Sequence, residues 1–64
     1  MPPRVREVKR LLRKLGYTDE RHGKGDHTIF KNPTTGDDLT LDGADGHEVP
    51  WLVWMKIRKR LGIR

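Results

Sequence analysis

His27-Thr28-Ile29-Phe30-Lys31, followed by Asn32-Pro33-Thr34-Thr35-Gly36-Asp37 and then Leu39-Thr40-Leu41, is the stretch that decides the fold. Thr28, Ile29 and Phe30 are all residues that fit a pleated, half-buried surface, so His27 to Lys31 reads as a strand. Asn, Pro, Gly and Asp crowded into the next six positions form a dense turn signal. Leu39-Thr40-Leu41 alternates apolar and polar, which is the period of a second strand. Upstream, Tyr17 to His22 is a shorter and more polar strand candidate. The glycines of His22-Gly23-Lys24-Gly25 suit the turn that joins it to His27, because they accept positive φ without steric cost. The short connections between these runs predict an antiparallel three-stranded meander.

Both flanks of the meander read as helices. Val5, Val8, Leu11, Leu12 and Leu15 recur at helical spacing as one apolar stripe. Pro2 and Pro3 suit the first turn, and Gly16 suits the end, where a left-handed residue is often needed. Arg6, Lys9, Arg10 and Arg13 recur with the same spacing roughly opposite the stripe and form a basic ridge. The second helix is predicted from about Pro50 to Leu61, closed by Gly62, with Val53, Trp54, Ile57 and Leu61 pointing inward. Trp51, Leu52 and Met55 fall off that face, so they either pack over a sheet edge or form a partner-binding patch. The predicted class is α+β, in the order α-β-β-β-α, with both helices covering one face of the sheet.

The composition sets the bounds of function. The chain has 64 residues, one third of them hydrophobic, no cysteine, and a formal charge of +5. One domain, residues 1–64, is expected. Without cysteine there is no disulfide framework and no Cys-based zinc or iron–sulfur site. The core is small enough that assembly with a partner chain, homo- or hetero-oligomeric, is expected. Val49 to Met55 is the longest apolar run and far short of the roughly 20 residues that cross a bilayer. The N-terminal Met-Pro-Pro-Arg lacks an apolar signal core, which makes the cytoplasm the expected compartment.

The charge is unevenly spread. Residues 1–17 carry a net +5, residues 18–50 a net −5, and residues 51–64 a net +5 with no acid at all. Two basic helices therefore flank an acidic sheet, and the balance favours an anionic partner, nucleic acid first. Six basic residues lie between Arg4 and Lys14. As a solvated face that is more than solubility requires, and phosphate contact by Arg6, Arg10 and Arg13 is the preferred reading.

The chemistry concentrates in Gly23-Lys24-Gly25-Asp26-His27-Thr28-Ile29-Phe30. Side chains alternate along a strand, so His27 and Phe30 point to opposite faces. With Phe30 in the core, His27 emerges on the open face beside the Gly-Lys-Gly turn and near the basic ridge. Histidine titrates near neutral pH and suits general acid–base work on a phosphodiester. Lys24 can hold the phosphate, and Gly23 and Gly25 let RNA approach. Taken by itself, a histidine that follows a turn is also an ordinary surface residue.

The chain resembles the HicA family of toxin ribonucleases from toxin–antitoxin pairs. The resemblance rests on the leading helix ending in Gly16-Tyr17 and on Gly25-Asp26-His27-Thr28-Ile29-Phe30 with Lys31-Asn32-Pro33. Glu48-Val49-Pro50 and Lys56-Ile57-Arg58-Lys59-Arg60-Leu61-Gly62-Ile63 complete it. It implies a double-stranded-RNA-binding-domain-like fold and metal-independent cleavage of mRNA with His27 as the essential residue. It also implies neutralisation by a HicB-type antitoxin, which would cover His27 and the patch of Trp51, Leu52 and Met55. The sequence departs from the family pattern at two places. Asp26 stands where serine is usual, and a carboxylate there favours the cationic imidazole and repels phosphate. Leu52-Val53 stands where Gly-Thr is frequent, which replaces a hydroxyl cap with an apolar patch.

Other features carry less. His22 and His47 match no common zinc pattern and read as solvated loop histidines, so no metal and no cofactor is expected. Asp42-Gly43-Ala44-Asp45-Gly46 lacks the ligand spacing of a calcium loop and reads as a polar loop. The acids from Asp37 to Glu48 read as a solvated surface, or else as a field that guides RNA to the helices. Two other functions fit the same residues: a catalytically silent RNA-binding module, and a protein-interaction domain built on the Trp51/Met55 face.

Overall fold

A computed structural model of the chain describes residues 2–22 and 27–63, apart from the side chains of Glu20, Arg21 and His22. The elements are α1 (Val5–Lys14), β1 (Thr18–His22), β2 (His27–Lys31), β3 (Asp38–Asp42) and α2 (Trp51–Leu61). The strands form one antiparallel sheet in the order β1-β2-β3. The α-β-β-β-α order and the α+β class predicted from the sequence are both present. The Gly23–Asp26 turn, including Lys24 and Gly25, lies outside the described residues.

The β2–β3 connection is built by Asn32. Its backbone N–H donates to Asp37 O (2.8 Å), and its side-chain oxygen accepts from the N–H groups of Thr34 (2.9 Å) and Thr35 (3.3 Å). This is the local side-chain-to-backbone bonding that makes asparagine a turn former. Outward from that closing pair the register runs Lys31↔Asp38, Phe30↔Leu39, Ile29↔Thr40, Thr28↔Leu41 and His27↔Asp42. Thr28, Phe30, Leu39 and Leu41 are buried on one face, and His27, Lys31, Asp38, Thr40 and Asp42 are exposed on the other. On the β1 side the register shifts between Asp19 and Arg21, so that Asp19 opposes Phe30 and Arg21 opposes Ile29.

Helix α1 lies over the buried face through Val5, Val8 and Leu12, all at most 1% exposed. Leu15, expected at the end of the same stripe, is 41% exposed, because it is the C-cap residue and the helix has already ended. The start of α1 is tied to the β3–α2 loop. The N–H groups of Val5 and Arg6, which have no partner within the helix, donate to His47 O (2.8 Å) and Asp45 O (3.1 Å). Lys9 adds an ion pair to Asp45 (2.7 Å), which holds that carboxyl below its ordinary range. The loop packs closely here: Gly43 has φ +111°, and a Cβ on it would stand 3.3 Å from Val5.

Helix α2 is held more lightly. Ile57 is its one buried residue among those described, with Trp54 and Leu61 partly buried against the same cluster. Val53, expected inward, is 41% exposed. It lines a groove against the outward side of β3 and does not enter the core. The end of α2 is fixed by a polar knot around Asp37. This carboxylate accepts from Tyr17 Oη (2.7 Å) and from Arg60 Nη2 (2.6 Å), with Arg60 Nε at 3.2 Å. Arg60 first, and Tyr17 second, hold the Asp37 carboxyl at about 2. The knot joins the α1–β1 junction, the β2–β3 turn and the last turn of α2. No helix among the described residues is long and apolar enough to cross a membrane.

Candidate active site

β2 positions the site by alternation. Phe30 is fully buried under α1, and three residues earlier His27 stands on the open face with its side chain 55% exposed. Directly across the ladder, Asp42 lies on the same face, and its Oδ1 meets His27 Nδ1. Directly opposed residues on one face of an antiparallel pair bring their Cβ atoms within about 5.5 Å, so this contact follows from the register. One imidazole nitrogen is thus engaged by a carboxylate while the ring remains open to solvent.

Asp42 also lines a groove of about 310 Å³ with Thr40, His47, Glu48, Val49 and Val53. Thr40 and Val53 are shared with the next groove, of about 470 Å³, where Ile29, Lys56 and Arg60 also line the wall. The two run along the outward surface of β3 beside α2, from the His27–Asp42 pair toward the basic end of the helix. Arg60 is already bound to Asp37, whereas Lys56 has no ion pair among the described residues.

The basic ridge of α1 lies elsewhere. Because Val5, Val8 and Leu12 face the sheet, Arg6, Arg10 and Arg13 lie on the helix-covered side, away from the open face that carries His27. The sequence reading placed His27 near this ridge. Strand alternation separates them. Arg13 is also engaged: its guanidinium donates to both Asp19 carboxylate oxygens (3.2 and 3.0 Å) and sits 5.8 Å from the centroid of the Phe30 ring. The hydrogen bonds to Asp19 raise its pKa further. Arg6 and Arg10 are exposed and carry no ion pair among the described residues.

On α2, Trp51, Leu52 and Met55 are 50%, 74% and 45% exposed. Packing over the sheet edge does not account for them, and the three form an apolar strip along the first half of the helix, on the side away from Val53. Pro50 is the N-cap and supplies no side-chain hydrogen bond, in keeping with the missing hydroxyl. His47 is exposed in the β3–α2 loop. Among the described residues no three His, Cys, Asp or Glu side chains gather where a metal ion could be held.

A family model described as HicA toxin of bacterial toxin-antitoxin matches residues 5–63, nearly the whole length. The chain belongs to the HicA toxin family. It is therefore the toxin half of a toxin–antitoxin pair and has an antitoxin for a partner. No curated protein and no solved structure gives a significant match. Sequence reasoning about the toxin missed Asp42, because attention went to Asp26, the carboxylate next to His27 in the chain. The signal was present in the turn. Counting outward five residues from a closing pair at Asn32 and Asp37 brings Asp42 opposite His27.

Proposed function

We propose that this toxin is a metal-independent endoribonuclease that cleaves mRNA with His27 as its general acid–base group. The observation that carries the reading is an imidazole on the open face, half exposed, with one nitrogen held by a carboxylate and the ring accessible to a polymer substrate. In the proposed reaction His27 takes the proton of the attacking hydroxyl as the new O–P bond forms. The P–O5′ bond breaks, its electron pair stays on the 5′ oxygen, and that oxygen takes a proton from the imidazolium or from solvent. The resemblance assigns metal independence, and it makes the cytoplasm, where mRNA is translated, the site of action.

In this reading the chain acts as one domain. Lys24 and Gly25 approach the scissile phosphate, and Lys56 along the β3–α2 groove is a second cation suited to a neighbouring phosphate. Arg6 and Arg10 add non-specific attraction for the RNA backbone from the other side of the sheet, and the engaged Arg13 adds less. A HicB-type antitoxin covers His27 and seats on the Trp51–Leu52–Met55 strip, since tryptophan and methionine are enriched at the cores of interfaces.

The test is induced expression of wild type beside His27→Ala, with growth and total mRNA integrity as readouts. Wild type is expected to arrest growth and fragment mRNA, and the variant to do neither while accumulating as folded protein. Equal toxicity and equal mRNA loss in the variant would remove His27 from the mechanism.

A further inference from the structure

We infer that Asp42 is the positioning residue of the site, fixing the tautomer and orientation of His27 so that Nε2 is the reacting nitrogen. Its catalytic consequence rests on the nuclease reading above, but the tautomer itself does not. An ionised carboxylate offers acceptors only, so an Nδ1 that meets Asp42 Oδ1 carries the proton. The neutral ring then has its lone pair on Nε2, the nitrogen that does not face Asp42. Free imidazole side chains prefer the opposite arrangement, with the proton on Nε2 and Nδ1 left as the nitrogen that accepts. Asp42 therefore fixes which nitrogen of this open-face histidine is the base and holds the ring in one orientation.

Three features mark this as a built arrangement. The pair is directly opposed across a ladder of five matched positions that starts from the Asn32 turn, so it does not depend on a flexible loop. Leu41, beside Asp42, is 1% exposed and Thr28, beside His27, is 2% exposed, which anchors both backbones from beneath. Asp42 also lines the groove that runs along β3, so the pair stands at one end of the space proposed for RNA.

Asp42 touches the imidazole and no reacting atom, so its test needs a readout beyond loss of activity. The experiment uses the full chain, wild type and Asp42→Ala, with Glu48→Ala as a control from the same groove. Nitrogen-15 spectra of the His27 ring are recorded above neutral pH without RNA. Wild type and Glu48→Ala are expected to show the proton on Nδ1, and Asp42→Ala to show it mainly on Nε2. Steady-state cleavage of an RNA oligomer is then expected to show kcat lower by about 10- to 100-fold with KM little changed. That is less than the roughly 10⁴-fold effect of disabling a fully buried carboxylate partner, because Asp42 is open to water. Asp42→Glu is expected to restore part of kcat. An unchanged tautomer in Asp42→Ala overturns the inference, and so does a changed tautomer with unchanged kcat. Wild type that shows the Nδ1 proton but leaves RNA intact supports the positioning role and refutes the nuclease reading instead.

Discussion

Helix α2 has one buried anchor and an apolar strip left outside, and that division makes a quantitative prediction. Ile57 is 5% exposed, whereas Leu52, five residues earlier on the same helix, is 74% exposed. Truncating a buried isoleucine to alanine removes its transfer energy and leaves a cavity, about 2–4 kcal/mol together. A chain of 64 residues has a total stability of about 3–10 kcal/mol at the usual 0.05–0.15 kcal/mol per residue. Ile57→Ala should therefore remove a large part of the stability, with a fall in Tm of about 8–30 °C at 4–8 °C per kcal/mol for a domain this size. Leu52→Ala should stay within about 0.5 kcal/mol, as surface substitutions do. Thermal unfolding followed by far-ultraviolet circular dichroism measures both, and the fluorescence of Trp51 and Trp54, both on α2, reports whether that helix detaches. Equal losses for the two variants, or a larger one for Leu52→Ala, would refute the account of which side of α2 faces the core.

Two further outcomes follow from the same contacts. Asp37 is held at about 2 by Arg60 and Tyr17, below the roughly 3.9 of an unfolded aspartate. A depressed carboxyl stabilises the fold above the unfolded value and loses that contribution as the pH falls through the folded one. Urea midpoints of wild type should thus converge on those of Asp37→Asn between about pH 4 and pH 2, and a constant gap over that window would contradict the knot. On the outer side of α2, Leu52→Glu should weaken binding of the cognate antitoxin at least about tenfold, the scale of an interface hot spot, with Tm nearly unchanged. Calorimetric titration that finds the same Kd would remove the strip from the interface.

Most of the fold was legible because its signals are local. The Asn32–Asp37 turn, the alternation of Thr28, Phe30, Leu39 and Leu41, and the stripe of Val5, Val8 and Leu12 each lie within one element or its boundary. The side of the sheet that bears His27 followed from Phe30 by parity alone. What escaped is non-local or lacks a period. The α2 sequence is apolar around much of its circumference, so spacing placed Ile57 correctly in the core but could not tell that Val53 would stay outside it, lining a groove. Tyr17, Asp37 and Arg60 are far apart in the chain and meet only in the fold. Arg13 looked like one more member of a basic ridge, and its engagement with Asp19 depends on the β1 register. Asp42 needed the exact pairing of two strands, and the nearer carboxylate, Asp26, drew the reading to sequence neighbours.

The proposed ribonuclease activity of this HicA family member stands or falls with its open-face histidine. The most direct test is cleavage of a defined mRNA by purified wild type and His27→Ala in the presence of a chelator. His27 is half exposed, so its replacement should leave the fold intact within about 0.5 kcal/mol. Wild type should fragment the RNA without added metal, and the variant should be slower by about 10²–10⁴-fold, the usual contribution of a general acid–base group. A folded His27→Ala that cleaves as fast as wild type, or a wild type that leaves the RNA whole, would contradict the claim.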